Sequence, residues 1–455
     1  MSDFDVLLVG GGASAIFTLV QFTRELPSWR IGWVRDQPGV GVAYATSSAR
    51  HLLNVPAQRM GAFPDAVDDF DRWLRNETTH HVGALEPFVP RGLYGGYLAA
   101  LRQQALASAE VTVVEGKALD CRRAASAEWR VVLADGRTAG AKRVVLAPGL
   151  PTMGSAWPKH PSLVADVWPW WLALPSDWQP PSARETIALV GSGLTAMDMV
   201  VGLRERGFEG HIRVLSRSGR WSAAHADTTP LDAAAQQQLI AVLQAQPTAR
   251  NYVRRLRVAA AQYPWRAVID ALRPYSQSLW QALPTFEQRR VLRHGFEPWN
   301  RLRHRAPPVT ARAIGADPRV SIERGRVTSQ VAEALMQSSA LVLNCGGPTL
   351  GRGGRWPSLF EGLIADGHVR VNELKTGLQS VLPAELALLG AVRFGELFEC
   401  TAVPELRQHA AELARAGDAG EGEAQRPTGQ CHARAAPQHV ALDRAVAMDR
   451  RVIEA

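Results

Sequence analysis

Two short glycine turns limit what this chain can fold into more than any other feature. Phe4 to Val9 (F-D-V-L-L-V) reads as a buried strand running into Gly10, Gly11 and Gly12, and Ala13 to Arg24 then reads as a helix. Thr186 to Val190 (T-I-A-L-V) repeats the arrangement, ends at Gly191-Ser192-Gly193 and enters a helix reaching about Arg206. Both turns fit G-x-G-x-x-A: Gly10 to Ala15, with Gly12, Ala13 and Ser14 between, and Gly191 to Ala196, with Gly193, Leu194 and Thr195 between. The first glycine permits a tight turn, the second lets the backbone approach a pyrophosphate, and the small sixth residue lets helix and strand pack closely. The free N–H groups and dipole of the helix start suit a diphosphate. One such turn can be a plain glycine-rich connection. Two in the same context imply two dinucleotide sites.

The second strands of these units, Arg30 to Val34 and Ile212 to Leu215, separate the two sites in kind. Gly10 to Asp36 is 26 positions, and Gly191 to Arg217 is also 26. An acid at that point accepts from a ribose 2′-hydroxyl, as in the adenosine of FAD, whereas a base meets a 2′-phosphate. FAD is therefore expected at the first site and NADPH at the second, with Ser216 and Arg220 beside Arg217. Arg35 precedes Asp36, so a shift of one residue would exchange acid for base, and a solvated surface arginine is the alternative for Arg217.

The fold class expected is α/β, with two Rossmann-like dinucleotide-binding domains, the NAD(P) domain inserted in the FAD domain, and an additional helical insertion. The first part of the FAD domain is placed at 1–165 and the NAD(P) domain at 183–330, with mainly helical sequence about 232–305. The FAD domain resumes over 331–416, and 417–455 is small, polar and charged, the composition of a poorly ordered tail. Residues 151–184, rich in Pro and Trp, read as a crossing between domains. Val144 to Gly149 (V-V-L-A-P-G) suits the exit from the first domain, and Leu341 to Gly347 (L-V-L-N-C-G-G) its counterpart on the way back. Gly149, Gly390 after a short strand at Leu386 to Leu389, and Val403 at the start of a closing helix extend the cofactor-contacting set. A helix beginning near Thr401 to Glu405 can aim its N-terminus at the flavin pyrimidine edge and stabilise negative charge there.

The formal net charge is +8, and its excess is local: residues 249–326 hold 16 Arg, no Lys and five acids. Interleaved with Trp and Leu, this reads as an Arg-rich face of folded helices rather than a nucleic-acid-binding tail. Cys121, Cys345, Cys400 and Cys431 lie far apart with no C-x-x-C, which argues against a disulfide framework, a zinc or other metal site, and a redox dithiol. Cys345 follows an apolar strand, where a cysteine is more often core than nucleophile. No run of about 18 apolar residues appears, so a membrane is not an expected partner and the cytoplasm is the expected compartment. The oligomeric state stays open.

Several segments resemble a known family. Gly41-Val42-Ala43-Tyr44, then His51 to Ala57 (H-L-L-N-V-P-A) with Met60, and F-V-P-R-x-x-Y-G-x-Y-L resemble bacterial FAD/NAD(P)-binding proteins that are distantly similar to flavin-dependent N-hydroxylating monooxygenases. G-S-G-L-T-A-M-D (191–198), S-R-S-G-R-W (216–221), D-A-L-R-P (270–274), H-R-A-P (304–307) and V-P-E-L-R (403–407) look similar too, and the resemblance spans roughly residues 4 to 414. It implies a flavin held between the first glycine turn and the His51–Met60 loop, with Arg91 on an FAD phosphate. His51 and Asn54 become the catalytic candidates, set against a structural loop histidine. Trp280, Arg303, His304 and Arg305 are candidates for a substrate wall. The implied activity is an NADPH-consuming monooxygenase using O2 on a small nitrogen or sulfur nucleophile. A flavin reductase without oxygen insertion, or a non-catalytic FAD-binding regulator, are the alternatives. The chain lacks the F-x-G-x-x-x-H-x-x-x-W stretch of Baeyer–Villiger or dimethylaniline-type monooxygenases after Gly149, and carries G-S-G-L-T-A rather than the G-x-G-Q-S-A of several N-hydroxylases.

Overall fold

The computed structural model describes residues 3–36, 39–77, 87–149, 157, 159–347 and 356–422. The expected tail beyond 422 lies outside them, and the closing helix, expected to stop near 416, runs over Val403–Gly422.

Two sheets organise the chain. The first contains β1 (Phe4–Val9), β2 (Ile31–Arg35), β3 (Val111–Glu115), β4 (Ala118–Arg123), β5 (Trp129–Leu133) and β6 (Thr138–Leu146), in the order β3-β2-β1-β6-β5-β4. The apolar run of β1 is buried from Val6 onward, as a central parallel strand must be when helices cover both faces. It pairs in parallel with β2 and with β6. The second sheet is parallel throughout. Numbered along the chain, its strands are β7 (Leu163–Val164), β8 (Thr186–Val190), β9 (His211–Ser216), β10 (Val320–Arg324) and β11 (Leu341–Asn344), ordered β10-β9-β8-β11-β7. A hairpin of β12 (Val369–Val371) and β13 (Leu378–Ser380) follows, and β14 (Leu386–Leu388) returns to the first sheet beside the end of β6.

This pairing moves the domain boundaries. Leu163–Val164, expected in the first domain, and Leu341–Asn344, expected in its continuation, both hydrogen-bond into the second sheet. The Pro- and Trp-rich crossing is likewise partly structured, because Trp171 on its helix Val167–Ala173 enters the second domain's core. Short apolar strands carry no label of their sheet, so these assignments rest on partners distant in sequence.

The helix Ala13–Glu25 packs on Arg91–Ser108 and Val403–Gly422, burying Ile16, Phe17 and Leu19 in one core. The insertion forms six helices between Ala233–Gln244 and Phe296–Arg303, with a small core of Leu239, Ile240, Leu243, Val268, Leu272 and Leu279. Too small to stand alone, that core leans on the returning FAD segment. Trp280 stacks on Phe398, ring centroids 4.9 Å apart, and its Nε1 donates to the Gly395 carbonyl at 2.8 Å.

Candidate functional site

The two glycine turns are built alike. Gly10 has φ +133° and Gly191 φ +103°, conformations that L side chains rarely adopt. Each also faces the carbonyl that ends the neighbouring parallel strand: a Cβ on Gly10 would overlap the Ala147 oxygen, and one on Gly191 would sit 2.6 Å from the Cys345 oxygen. Cys345 is thus a wall of the turn. Its thiol is buried, which pushes its pKa up and keeps it protonated. The second glycines differ from the first. A Cβ on Gly193 would meet nothing within 4 Å, and one on Gly12 only the Gly41 Cα at 3.8 Å.

Both following helices begin without a side-chain cap, whereas Asp232, Thr248 and Thr328 cap helices elsewhere in the chain. Four N–H groups at a helix start lack intrahelical partners, and Ser, Thr or Asp caps normally satisfy one. Here Ile16 and Met197 are the first residues to bond back, to Gly12 and Gly193, so the N–H groups of Ala13, Ser14, Ala15, Leu194 and Thr195 remain available to a diphosphate. Uncapped N-termini beside open glycines are what two dinucleotides require.

Asp36 follows β2, is exposed and has no side-chain partner among the described residues, while Arg35 turns aside to Glu115 (2.8 Å) and lies over the Trp33 ring. The acid, not the base, is left at the end of the first unit. Arg217 is exposed beyond β9, where Ser216 Oγ accepts from the Gly219 N–H at 3.0 Å and shapes the turn. Gly390, φ +82°, comes within contact of Ser14, which brings the returning segment to the first helix start. Val403 is buried at the head of the last helix. Gly149 ends the described stretch after β6, and residues 150–156 beyond it lie outside the described residues.

The His51–Met60 loop occupies a different place from the glycine turns. His51 is fully buried between the domains, packed against Trp168 and Trp171. Its Nε2 donates to the Asp198 carbonyl (3.0 Å), so Nδ1 of the neutral ring accepts from the Thr46 hydroxyl (2.8 Å). Burial, with Arg91 nearby, lowers its pKa to about 4. Arg91 donates to the Leu52 carbonyl and sets Nη2 2.8 Å from the Asp198 carboxylate. Burial raises Asp198 to about 6, against the opposing pull of Arg91. The Asn54 carbonyl accepts from His225 Nε2 of the second domain at 3.0 Å, and Met60 is buried with its carbonyl held by Tyr94. His51, Asn54 and Arg91 thus come together, at a joint between domains.

Asp198 and Gly202 were missed in the sequence. A Cβ on Gly202 would lie 2.6 Å from His51 Nε2 and 2.7 Å from Trp171. A signal existed: an acid inside the apolar helix run M-D-M-V-V (197–201) must find a partner. Of the four proposed wall residues, Trp280, Arg303 and His304 face the 393–405 segment, whereas Arg305 forms a two-pronged pair with Asp270 at 3.0 Å.

Residues 7–151 match the FAD-NAD(P)-binding family model, so the first glycine turn and its surroundings form a domain of that kind. The fold is similar to that of several solved monooxygenases. A cadaverine monooxygenase of desferrioxamine biosynthesis from Erwinia amylovora, solved with FAD, aligns at 13% identity and TM-score 0.58, covering 97% of this chain and 100% of its own. L-lysine 6-monooxygenase from Pseudomonas syringae aligns at 14% and 0.58, covering 91% and 99%. Ornithine N-hydroxylase from Kutzneria sp. 744 aligns at 13% and 0.53, covering 92% and 100%. No curated protein matches the sequence. Among the described residues no helix is long and apolar enough to cross a membrane.

Proposed function

We propose that this chain is an FAD-dependent, NADPH-consuming monooxygenase that transfers one oxygen atom from O2 to a small nitrogen or sulfur nucleophile. The pair of uncapped helix starts, one followed by Asp36 and the other by Arg217, carries the reading. The similarity of fold to monooxygenases of ornithine, lysine and cadaverine supports the choice of oxygen transfer to nitrogen. The three described cysteines, all buried and unpaired, suit the cytoplasm.

Bound FAD and NADPH would supply hydride transfer and oxygen activation; the chain supplies placement. The N–H groups at Ala13–Ala15 hold one diphosphate and those at Leu194 and Thr195 the other. Asp36 accepts from a ribose hydroxyl, and Arg217 with Ser216 meets the 2′-phosphate. His51, neutral and hydrogen-bonded through both nitrogens, positions the second domain's first helix against the first domain. Asn54, partly buried, lies on the same loop and is the residue proposed to meet a substrate or the flavin.

The test is anaerobic mixing with NADPH followed by 18O2 and a panel of amines, amino acids and thioethers. The expected result is bleaching of the flavin band and a product carrying one 18O atom. Bleaching with electrons delivered only to dyes or to hydrogen peroxide, across the panel, would make the protein a reductase. No bleaching would remove both enzymatic readings.

A further inference from the structure

The second sheet ends, on the side of its glycine turn, in arginines that no acid answers. Strands β9 and β10 run in parallel, and their register sets Ser216 beside Arg324 at the last rung. The ladder closes there, with the Gly325 N–H donating to the Ser216 carbonyl at 2.8 Å. Side chains alternate along each strand. Val214 and Ile322 pack in the core with Met197, Val200 and Leu203 of the helix Leu194–Glu205. Arg324, two residues beyond Ile322, therefore leaves the sheet on that helix's side. Its neighbour Glu323 leaves on the other side, where Arg213 donates to both carboxylate oxygens at 2.8 and 2.9 Å. The acid next to Arg324 in sequence is thus spent elsewhere.

The turn after β9 is seated directly on this arginine. Gly219 has φ +64°, and a Cβ placed on it would lie 2.8 Å from the Arg324 Cβ and 3.1 Å from the Arg324 Cα. Glycine lets the turn come this close without displacing β10. The Gly219 N–H is held meanwhile by Ser216 Oγ at 3.0 Å. On its other flank the turn reaches the second glycine motif, where the Arg220 carbonyl accepts from Ser192 Oγ at 2.7 Å. Ser192 stands between Gly191 and Gly193. One hydrogen bond therefore ties the proposed diphosphate turn to residues 217–220, and one tight contact ties those residues to Arg324. Arg217, Arg220 and Arg324 are all exposed, and none has an acid partner among the described residues. A ligand reaches them without opening the fold.

We infer that Arg324 is a second specificity residue for NADPH, holding the 2′-phosphate from β10 while Arg217 holds it from the end of β9. This rests on the assignment of NADPH to the second glycine turn and deepens it. A phosphate offers several oxygens, and two planar guanidiniums from different strands meet different ones. A 2′-hydroxyl carries no charge for either to meet. Arg324 belongs to the 249–326 stretch that is rich in arginine, so one of those residues serves the cofactor rather than the helical insertion.

Calorimetric titration of the flavin-loaded protein with adenosine 2′,5′-bisphosphate and adenosine 5′-monophosphate tests this. The two ligands differ only in the 2′-phosphate, and FAD already fills the first site. The wild type is expected to favour the bisphosphate by about a hundredfold, about tenfold from each arginine. Arg324→Gln is expected to weaken bisphosphate binding about tenfold and to leave the monophosphate unchanged. The unchanged monophosphate also reports that the variant is folded and its nucleotide site intact. Equal weakening of both ligands would overturn the inference by making Arg324 a support for the turn. Bisphosphate affinity unchanged in the variant would overturn it too, leaving the phosphate to Arg217 alone and the NADPH assignment standing. A wild type with no preference between the ligands would remove that assignment itself, and the inference with it.

Discussion

Arg217 is an exposed side chain with no acid partner among the described residues, at the position where a 2′-phosphate would arrive. Removing it should leave the fold intact and change only which nucleotide is preferred. Arg217→Ala is expected to raise the Kd for NADPH about tenfold, roughly the 1.4 kcal/mol of one charge-assisted contact at an exposed site, and to leave NADH unchanged. Titration of both nucleotides into the two proteins checks this, and an unaltered preference would return Arg217 to the status of a surface arginine. His51 offers a pH test at the same scale. Its folded pKa, about 4, lies below the ordinary 6.5, so its contribution to stability is present above 6.5 and is lost as pH falls through 4. Asp198, raised from 3.8 to about 6, acts in the opposite sense: its contribution is present below 3.8 and lost as pH rises through 6. A comparison with His51→Gln removes that opposing effect, because Asp198 is common to both proteins. The gap in Tm between wild type and variant should be widest above pH 6.5 and close toward pH 4. A gap independent of pH would mean that His51 is not held neutral.

At the scale of the element, the glycines of the two turns have separable duties. Gly10 combines a positive φ with a carbonyl pressed against its α-carbon, so Gly10→Ala should yield little folded, flavin-containing protein. Gly193 has an ordinary φ of −76° and open space where a Cβ would go. Gly193→Ala is therefore expected to melt with the wild type while its NADPH Kd rises about tenfold. A fall in Tm with unchanged affinity would show that the glycine serves packing instead. These turns were legible in the sequence because strand, turn and helix are contiguous, and the local pattern contains the whole device. The helical character of residues 232–305 was legible from period and composition. Strands β7 and β11 were not assigned to their sheet, since Leu-Val and L-V-L-N fit any apolar sheet. The roles of His51 and Arg91 were hidden for a related reason: Asp198 stands 147 residues from His51, and only the assembled fold joins them.

At the scale of the whole molecule, that joint fixes how the two dinucleotide domains face each other. The helix Leu194–Glu205 starts at the second glycine turn, and its inner side meets the first domain at three points: the Arg91 ion pair to Asp198, the His51 hydrogen bond to its carbonyl, and Glu205 with Ser48. Trp171 and the His51 ring fill the space over Gly202, leaving no room for a methyl group. Gly202→Ala must push His51 or the helix aside, and overpacking of this kind costs about 1–3 kcal/mol. The N–H groups of Leu194 and Thr195 lie two turns away on the same rigid helix, so they should still bind the diphosphate. Their angle to the first domain, however, changes with the seam. The expected result in rapid mixing is a Kd for NADPH close to wild type and a flavin bleaching rate at least tenfold slower, since small errors in the approach of donor to acceptor are heavily penalised. A variant with weakened NADPH affinity and an unchanged rate would locate the function of Gly202 in the nucleotide site. A lower Tm with both kinetic constants preserved would reduce the seam to a structural contact.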